Sequence, residues 1–255
     1  MASLHRAGIC HGDFRPPNVL LRSDGLTGMS EEELLEYLSL PRIANVLDAS
    51  GNPHTHPGAP PYLVHPVEYF SGNADLTLPR ISIIDFGESF PTSNPRENLR
   101  IPMPYAAIET FFGGKFSAAS DVWALACTIF EIRTGNRLFG MCIEEKDEYF
   151  FLVARTLGPF PESWRPFCED PEWFPDLLDP SLHTEPRTLR RELKKTVVHM
   201  PTRNEEEIEF VHIPEDEQEL FADLLEKMLE YDIEKRITAE DALKHPWFQY
   251  AAERA

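Results

Sequence analysis

Residues 11–18 read His-Gly-Asp-Phe-Arg-Pro-Pro-Asn, and this run decides how the rest of the chain is interpreted. It follows the pattern H-x-D-x-x-x-x-N, which combines a proton acceptor with a metal-binding amide. In loops of this kind the Asp orients an attacking hydroxyl and the Asn binds Mg²⁺. Asp13 is therefore a candidate base, and Asn18 is a candidate metal ligand.

A second run, Ile-Asp-Phe-Gly at residues 84–87, contributes another carboxylate. The Asp of a D-F-G sequence binds the Mg²⁺ that bridges phosphate oxygens. Each run alone is weak evidence, because the first pattern arises by chance and Asp-Phe-Gly is commonly a turn. Together they predict that Asp13, Asn18 and Asp85 form one site for phosphoryl transfer.

The composition is that of an ordinary soluble globular protein. The chain has 255 residues, of which 42% are hydrophobic, so it can bury a core as one large domain or two small ones. Its formal charge of -19 argues against direct binding to nucleic acid or to a membrane and favours basic partners or basic peptide substrates. An acidic surface that serves solubility explains the charge equally well.

The cysteines and the first residues indicate a reducing compartment. Four cysteines, at positions 10, 127, 142 and 168, lack C-x-x-C spacing and predict neither a disulfide framework nor a zinc site. The opening residues lack the apolar region of a signal peptide, and the most apolar stretch, 122–132, is interrupted by Thr128 and Glu131. We expect a cytoplasmic or nuclear protein.

Hydrophobic periodicity predicts a mainly helical second half. Residues 121–133 are apolar almost all round, which is typical of a helix buried in the middle of a domain. Further helices are predicted at 148–157, 217–230 and 238–244, the last with Thr238 as its cap.

The first half is predicted to be less regular. Short apolar runs at 19–22 and 81–84 predict strands that flank the two loops. Between them, Ser30 and Glu33 form a capping box for a helix that ends before Pro41.

Two segments are predicted to lie at the surface. Residues 51–61 are mostly turn formers, and their His54 and His56 are interpreted as solvated loop histidines rather than metal ligands with His65. Residues 187–209 mix charges of both signs and predict solvated surface. A basic docking patch in the first part of that segment is the alternative.

Three later motifs give the chain a resemblance to a known family. They are Tyr-Ala-Ala-Ile-Glu at 105–109, Asp-Val-Trp-Ala-Leu-Ala at 121–126, and the Arg that ends Asp-Ile-Glu-Lys-Arg at 232–236. With the two loops, they resemble in order the motifs of the C-terminal lobe of a eukaryotic protein kinase. The resemblance implies an α+β fold, mainly helical, with short β-hairpins around the catalytic and DFG loops. It also implies a kinase domain at 1–250 and a tail at 251–255.

The resemblance assigns roles to the residues of the site. It implies that Asp13 is the base, that Arg15 stabilises the moving phosphoryl group, and that Asn18 and Asp85 hold Mg²⁺. Leu20 would form part of the floor under the adenine of ATP.

Structural roles are implied for a second set of residues. Asp121 would bond the backbone of the catalytic loop, and a buried ion pair between Glu109 and Arg236 would brace the substrate platform. Within the two loops, the resemblance implies that His11 stacks on Phe86, which is followed by Gly87.

Further similarities point to the SR-protein kinases and their CMGC relatives. Leu-Gly-Pro-Phe-Pro-Glu at 157–162 and His-Pro-Trp-Phe at 245–248 are similar to that branch, which also carries an insertion between the two loops. Here the insertion is predicted at 23–80. The resemblance therefore implies an ATP-dependent serine/threonine kinase, with ATP and Mg²⁺ as cofactors and with protein substrates that are basic or Arg/Ser-rich.

The largest departure from the family concerns its small lobe. The Gly-rich loop, the phosphate-anchoring Lys and its Glu partner would precede His11, and ten residues stand there. We expect that lobe to be missing, activity of the chain alone to be low, and the exposed lobe interface to favour association. A non-catalytic scaffold or pseudokinase fragment is the alternative.

Three single positions also depart from the family. Gly12 replaces an Arg that grips a phosphate, Arg15 stands where a Lys is usual, and Pro102 replaces a Thr that bonds the catalytic Asp. His-Gly-Asp also occurs in small-molecule kinases of the aminoglycoside-phosphotransferase type. The motifs around Glu109 and Arg236 oppose that second enzyme class.

Overall fold

The structure is a computed structural model of the chain, and it describes residues 1–23, 26–38, 40–54, 56–65, 77–140, 145–167, 189–194, 197–198 and 210–253. These residues divide into two compact units. The first unit contains residues 1–19 and, as far as they are described, 83–200 and 208–255; the second contains the described residues of 20–82. The predicted α+β fold, mainly helical with short two-stranded sheets, is confirmed.

The first unit holds most of the helices. They are α1 (Ala2–Arg6), α3 (Ala118–Thr134), α4 (Lys146–Leu157), α5 (Leu189–Leu193), α6 (Glu215–Met228), α7 (Ala239–Ala242) and α8 (Pro246–Ala252), while α2 (Glu31–Leu38) belongs to the second unit. The helices predicted at 121–133, 148–157, 217–230 and 238–244 are therefore confirmed, with shifted ends. No helix among the described residues is long and apolar enough to cross a membrane.

Helix α3 is the centre of the core, as its apolar sequence predicts. It begins at a capping box in which Ser117 Oγ accepts from Ala119 N, and it ends at Gly135, whose φ of 70° favours glycine. Val122, Trp123 and Phe130 are all buried. Burial on nearly every side fixes the helix firmly, so it can act as the support for the loops packed against it.

Aromatic contacts join the other helices to this core. Trp123 stacks on Phe139 with ring centroids 5.8 Å apart, and Phe221 of α6 stacks on Trp247 of α8 at 4.5 Å. A bidentate ion pair between Arg133 and Glu217, with both N–O distances 2.7 Å, links α3 to α6. The ion pair thus ties α6 to α3.

Short strands position the two loops. Strand β1 (Ile9–Cys10) pairs antiparallel with β6 (Phe90–Pro91), with Ile9 opposite Pro91 and Cys10 opposite Phe90. Residues 11–18 begin directly after β1, and residues 84–87 end shortly before β6. Pairing of these strands therefore brings the two loops together.

Two small sheets and α2 make up the second unit. Strand β2 (Val19–Ser23) pairs with β5 (Thr77–Ile83), and β3 (Ile43–Asn45) pairs with β4 (Tyr62–Val64). The predicted strands and the predicted capping box are confirmed, since Ser30 N donates to the Glu33 carboxylate at 2.7 Å. The loop histidines bond their own segment: His54 Nε2 lies 2.9 Å from Pro60 O, and His56 accepts from Gly58 N.

One prediction about the surface is wrong in part. Residues 187–209 were predicted to be solvated, but Leu189, Glu192 and Leu193 are buried in the short helix α5. Leu189 and Leu193 stand four residues apart, so they share one face of the helix. Arg190 on that helix contacts Glu219 at 3.1 Å and so already has acidic partners. Much of the segment lies outside the described residues.

Remaining strands and turns complete the first unit. Strand β7 (Val197–Val198) pairs with β8 (Phe210–Val211), and 3₁₀ turns occur at Pro16–Asn18, Phe86–Glu88, Met103–Tyr105, Ile108–Phe111 and Glu162–Phe167. Two of these turns carry Asn18 and Phe86, which are candidate site residues.

Candidate catalytic site

Asp121 accepts hydrogen bonds from the backbone of the catalytic loop, residues 11–18. It lies in the first turn of α3 and is buried, and its Oδ2 accepts from His11 N at 2.6 Å while Oδ1 accepts from Gly12 N at 2.9 Å. Hydrogen bonds to a carboxylate are stronger than bonds between neutral groups. The structure thus brings Asp121 to the loop backbone, as its implied role requires.

Gly12 takes a conformation that only glycine tolerates here. Its φ is 79°, and an added Cβ would lie 2.4 Å from the carbonyl oxygen of Glu88 and 3.3 Å from the side chain of Leu99. An Arg at this position could not be accommodated without moving the segment after Asp85. The glycine thereby lets the two loops approach more closely.

His11 connects the two loops through its ring. The ring is buried, and its centroid lies 4.9 Å from that of Phe86 with an interplanar angle of 44°. Its Nε2 donates to Ile84 O at 3.1 Å, and its Nδ1 accepts from Asp13 N at 3.3 Å. These bonds fix one neutral tautomer, because Nε2 carries the proton.

Asp13 has one occupied and one free carboxylate oxygen. Its Oδ2 accepts from Arg15 Nε and from Asn18 Nδ2, both at 3.2 Å. Its Oδ1 is buried and accepts no hydrogen bond from the described residues. A buried acceptor without a donor costs about 1–3 kcal/mol, so Oδ1 is available to a donor from a bound molecule.

The free oxygen agrees with one departure from the family. A Thr hydroxyl was implied to bond the catalytic Asp, but this chain has Pro102 at that position. Proline has neither a hydroxyl nor a backbone N–H to donate. Pro102 therefore cannot supply a donor to Asp13 Oδ1.

Asn18 is oriented by its amide nitrogen. The residue is buried at the end of the first 3₁₀ turn, and its Nδ2 also donates to Asp13 O at 2.7 Å. Its backbone oxygen accepts from Ile84 N at 3.0 Å, so the catalytic loop is joined to the residue before Asp85. With Nδ2 occupied, the amide oxygen is the group that can bind a cation.

Asp85 is held in a strained backbone conformation. Its φ of 63° is the one positive value of a non-glycine residue among the described residues. A positive φ costs a non-glycine residue on the order of 1 kcal/mol of conformational free energy. Residues with such strained backbones are concentrated at functional sites. The carboxylate makes no capping bond to the turn that follows. An added Cβ at Gly87 would lie 3.4 Å from Asp85 Oδ1, so glycine keeps that side of the carboxylate clear.

Glu109 and Arg236 form the buried ion pair that the resemblance implies. The guanidinium donates to both carboxylate oxygens, and both side chains are almost fully enclosed. Arg236 also donates to Ala119 O at 2.9 Å, and its guanidinium lies 5.2 Å from the ring centroid of Trp123. The pair thus fastens the segment after the 84–87 loop to α3.

Leu20 is the one candidate residue that lies in the second unit. Its side chain on β2 is 46% exposed and is therefore available to an apolar ligand. Its contact with adenine stays a prediction.

A family comparison agrees with this geometry. The family model described as "Protein kinase domain" matches residues 72–248. The chain belongs to the protein kinase family. The match includes the D-F-G sequence, Glu109, α3 and Arg236.

The chain is also similar to proteins named as protein kinases of different specificities. The chain is 32% identical to mouse "Dual specificity protein kinase CLK1" over 175 residues, which is 68% of this chain and 34% of the relative. It is 25% identical over 248 residues to "Probable serine/threonine-protein kinase clkA" of Dictyostelium discoideum, covering 96% and 23%. It is 26% identical over 260 residues to "Dual specificity protein kinase lkh1" of Schizosaccharomyces pombe, covering 97% and 30%. The chain thus spans about a quarter to a third of these relatives.

Two contacts in this kinase domain escaped the sequence analysis. His5 Nε2 lies 3.0 Å from Asp121 Oδ2, and Tyr105 donates its hydroxyl to Glu131 at 2.5 Å. Burial, followed by the bond to Glu131, raises the pKa of Tyr105 above its usual value. No motif linked these partners, because a histidine in a short helix and a glutamate inside α3 carry no pairing signal of their own.

A cleft lies beside the catalytic loop of the kinase domain. Its volume is about 400 Å³, and Leu99, which lies against Gly12, forms part of its wall. Other residues of the wall include Ile101, Met103, Phe111, Phe116, Glu97 and Lys146. The cleft therefore lies close to Gly12, the residue that precedes Asp13. Its wall contains apolar side chains together with acidic and basic ones.

Proposed function

We propose that this chain carries the catalytic half of an ATP-dependent protein kinase that phosphorylates protein hydroxyl groups. The observation that carries the proposal is the Asp13 carboxylate, which is held through Oδ2 while Oδ1 has no donor among the described residues. A substrate hydroxyl is the donor that such an acceptor needs. Membership in the kinase family supports the same reaction.

The metal-binding groups fit Mg²⁺. Magnesium prefers oxygen ligands and is usually bound by one or two carboxylates together with phosphates. Asp85 offers a carboxylate without a capping bond, and Asn18 offers its amide oxygen. Asp85 and Asn18 would hold the cation, which would neutralise negative charge on the phosphates of ATP. The backbone bond between Asn18 and Ile84 keeps the two candidate ligands on neighbouring segments.

Each remaining residue would orient a group rather than react. Asp13 would accept the hydrogen bond of the hydroxyl and direct its oxygen at the phosphorus. Arg15, whose Nε lies 3.2 Å from Asp13 Oδ2, would place a positive charge beside the transferred group. Asp121 would keep Asp13 and Arg15 in position by holding the backbone of His11 and Gly12.

We infer the substrate class from the net charge of the chain. With a net charge of -19, the chain favours basic proteins as substrates, which agrees with an Arg/Ser-rich preference of the SR-protein kinase type. Serine and threonine are the proposed acceptors. Two of the relatives are named as dual specificity kinases, so tyrosine is the acceptor to compare with them. A protein of this kind would act in the cytoplasm or nucleus.

The test is the transfer of labelled γ-phosphate by the protein at its native length, using matched peptides with Ser, Thr or Tyr in basic and acidic contexts. Asp13→Asn should lower kcat about 10²–10⁴-fold, because the orienting carboxylate is lost. Asp147→Asn is the matched control, since Asp147 is exposed in the first turn of α4 and should leave kcat unchanged.

The outcomes separate the two functions considered. Loss of transfer in Asp13→Asn alone supports the kinase, and equal turnover in both variants overturns the assigned base. A native protein that neither transfers phosphate nor binds ATP with Mg²⁺ would replace the kinase by the scaffold alternative.

A further inference from the structure

Three side chains that can ligate a metal converge at Asp121, the residue that accepts hydrogen bonds from the backbone of His11 and Gly12. They are His5 of α1, Cys10 of β1 and Asp121 of α3, and their ligand atoms all lie within 4.8 Å of one another. Among the described residues, no other group of three His, Cys, Asp or Glu ligands comes this close. We infer that His5, Cys10 and Asp121 form a binding site for Zn²⁺ that braces the catalytic loop.

The set of donors suits zinc and not magnesium. Zinc in proteins is bound by imidazole nitrogen, thiolate sulfur and carboxylate oxygen, whereas Mg²⁺ prefers oxygen alone. His5 Nε2 and Asp121 Oδ2 are 3.0 Å apart, close to the separation of two ligands on one Zn²⁺. With zinc–ligand bonds of about 2.0–2.3 Å, the most distant pair would have to approach by about 1 Å.

Binding at this place leaves the catalytic loop attached. Asp121 Oδ2 now accepts from both His5 and His11, and Oδ1 accepts from Gly12. A cation between His5 and Asp121 would replace only the His5 hydrogen bond. Because the bonds to His11 N and Gly12 N remain, the loop keeps its position. The cation would in addition link Asp121 to His5 of α1 and to Cys10 of β1.

The charge and proton balance is simple. The Cys10 thiol loses one proton to solvent, the neutral His5 imidazole gives up its Nε2 proton and takes one on Nδ1 so that Nε2 can bind the cation, and Asp121 is already a carboxylate. Zn²⁺ with one thiolate and one carboxylate is neutral overall, which removes the cost of a net charge in a buried place. Burial and the charge of Asp121 raise the pKa of Cys10 to about 12, and a bound cation opposes both effects.

The proposed zinc site is enclosed at Cys10 and partly exposed at His5. Cys10 packs in an apolar cluster with Phe90 and Phe116, which shields the thiol from bulk solvent. The His5 side chain is 15% exposed, so a cation and a water molecule as fourth ligand can enter from that side. Three protein ligands and one water is the arrangement of zinc sites that keep an open position, whereas closed structural sites use four protein ligands.

The test uses the whole chain, freed of metal by a chelator and titrated with Co²⁺ and then Zn²⁺. One equivalent of Co²⁺ should give the near-ultraviolet charge-transfer band of a thiolate–cobalt bond, and Zn²⁺ should abolish it. Excess Mg²⁺ should not, since the proposed Mg²⁺ ligands contain no sulfur. Saturating Zn²⁺ should also raise Tm by about 5 °C.

Variants decide whether the band belongs to this site. Cys10→Val keeps an apolar side chain among Phe90 and Phe116 and should remove the band, with Zn²⁺ affinity lowered at least roughly 100-fold, since even groups outside the ligand set are worth 10–100-fold. His5→Gln keeps a donor for Asp121 and should also lower the affinity. The matched control is Cys127→Ala, because Cys127 is buried elsewhere in α3 and should not affect Co²⁺ binding.

Clear results would overturn the inference. They are a cobalt complex without a thiolate band, a band that persists in folded Cys10→Val, or a band that disappears in Cys127→Ala. Should Cys10→Val fail to fold, normal cobalt and zinc binding by folded His5→Gln would be decisive against the site.

Discussion

The guanidinium of Arg236 makes two parallel hydrogen bonds to the carboxylate of Glu109, at 2.8 and 2.9 Å, across a sequence separation of 127 residues. Both partners are buried, and Ser120 Oγ adds a third bond to Glu109 at 3.3 Å. The pair therefore joins the end of the segment that follows Asp85 to the late helices. Its geometry is the bidentate form that arginine favours.

Removing one partner should destabilise the chain strongly. Arg236→Leu leaves the Glu109 carboxylate buried without its cation, and we expect the free energy of unfolding to fall by about 3–5 kcal/mol. Arg6→Leu is the matched control, because the Arg6–Glu240 pair is exposed and should be worth under about 1 kcal/mol. Urea unfolding followed by Trp fluorescence measures both, and equal losses would contradict the structural role.

Gly12 should not tolerate even the smallest side chain. Gly12→Ala places a Cβ 2.4 Å from Glu88 O, so the loop has to shift, and we expect both stability and phosphate transfer to fall. Gly51→Ala isolates the cost of backbone conformation, because Gly51 has a φ of 83° with no atom within 4 Å of an added Cβ. Its expected cost is about 1 kcal/mol, from the positive φ alone.

The comparison of the two glycine variants is measured by Tm and by kcat. A Gly12→Ala protein as stable and active as Gly51→Ala would mean that the two loops do not meet as described.

Much of the fold follows from local sequence signals. The centre of α3 was predictable because apolar residues surround it, and its ends lie at Ser117 and Gly135, which have ordinary capping roles. The α5 helix was missed because only two apolar residues, Leu189 and Leu193, stand among charged ones. A helix of one turn or so has too few residues for a periodic signal.

The site was predictable where chemistry dictates residue type. Asp13, Asn18 and Asp85 could be grouped because the proposed base and the two proposed metal ligands need those side chains. The meeting of His5 with Asp121 could not, since 116 residues separate them and only the tertiary fold brings them together. The unpaired Oδ1 of Asp13 also depends on tertiary geometry, although Pro102 gave a hint of it.

Asp85 should show a trade between stability and activity. Asp85→Gly relieves the positive φ of 63°, and we expect the free energy of unfolding to rise by about 1 kcal/mol. The same change removes a proposed Mg²⁺ ligand, so phosphate transfer should be lost. Asp85→Asn is the matched variant, because Asn tolerates this backbone conformation and should lose transfer without the gain in stability. Urea unfolding and the transfer assay test both, and a less stable Asp85→Gly would argue against strain.

Stability should decline at alkaline pH partly because of Cys127. Burial raises the pKa of this thiol, so the folded chain keeps it neutral while the unfolded chain ionises it above about pH 8.5. The folded chain then binds more protons than the unfolded one, so unfolding becomes easier as pH rises. Each pH unit above that value should cost about 1.4 kcal/mol from this group.

The Cys127→Ala variant tests this dependence. It should be less stable than the parent chain at pH 7, because the substitution leaves a cavity. Between pH 9 and 11, however, its free energy of unfolding should fall by about 1.4 kcal/mol less per pH unit than that of the parent chain. Urea unfolding at several pH values measures the difference, and parallel pH profiles for the two proteins would show that the Cys127 thiol ionises freely in the folded chain.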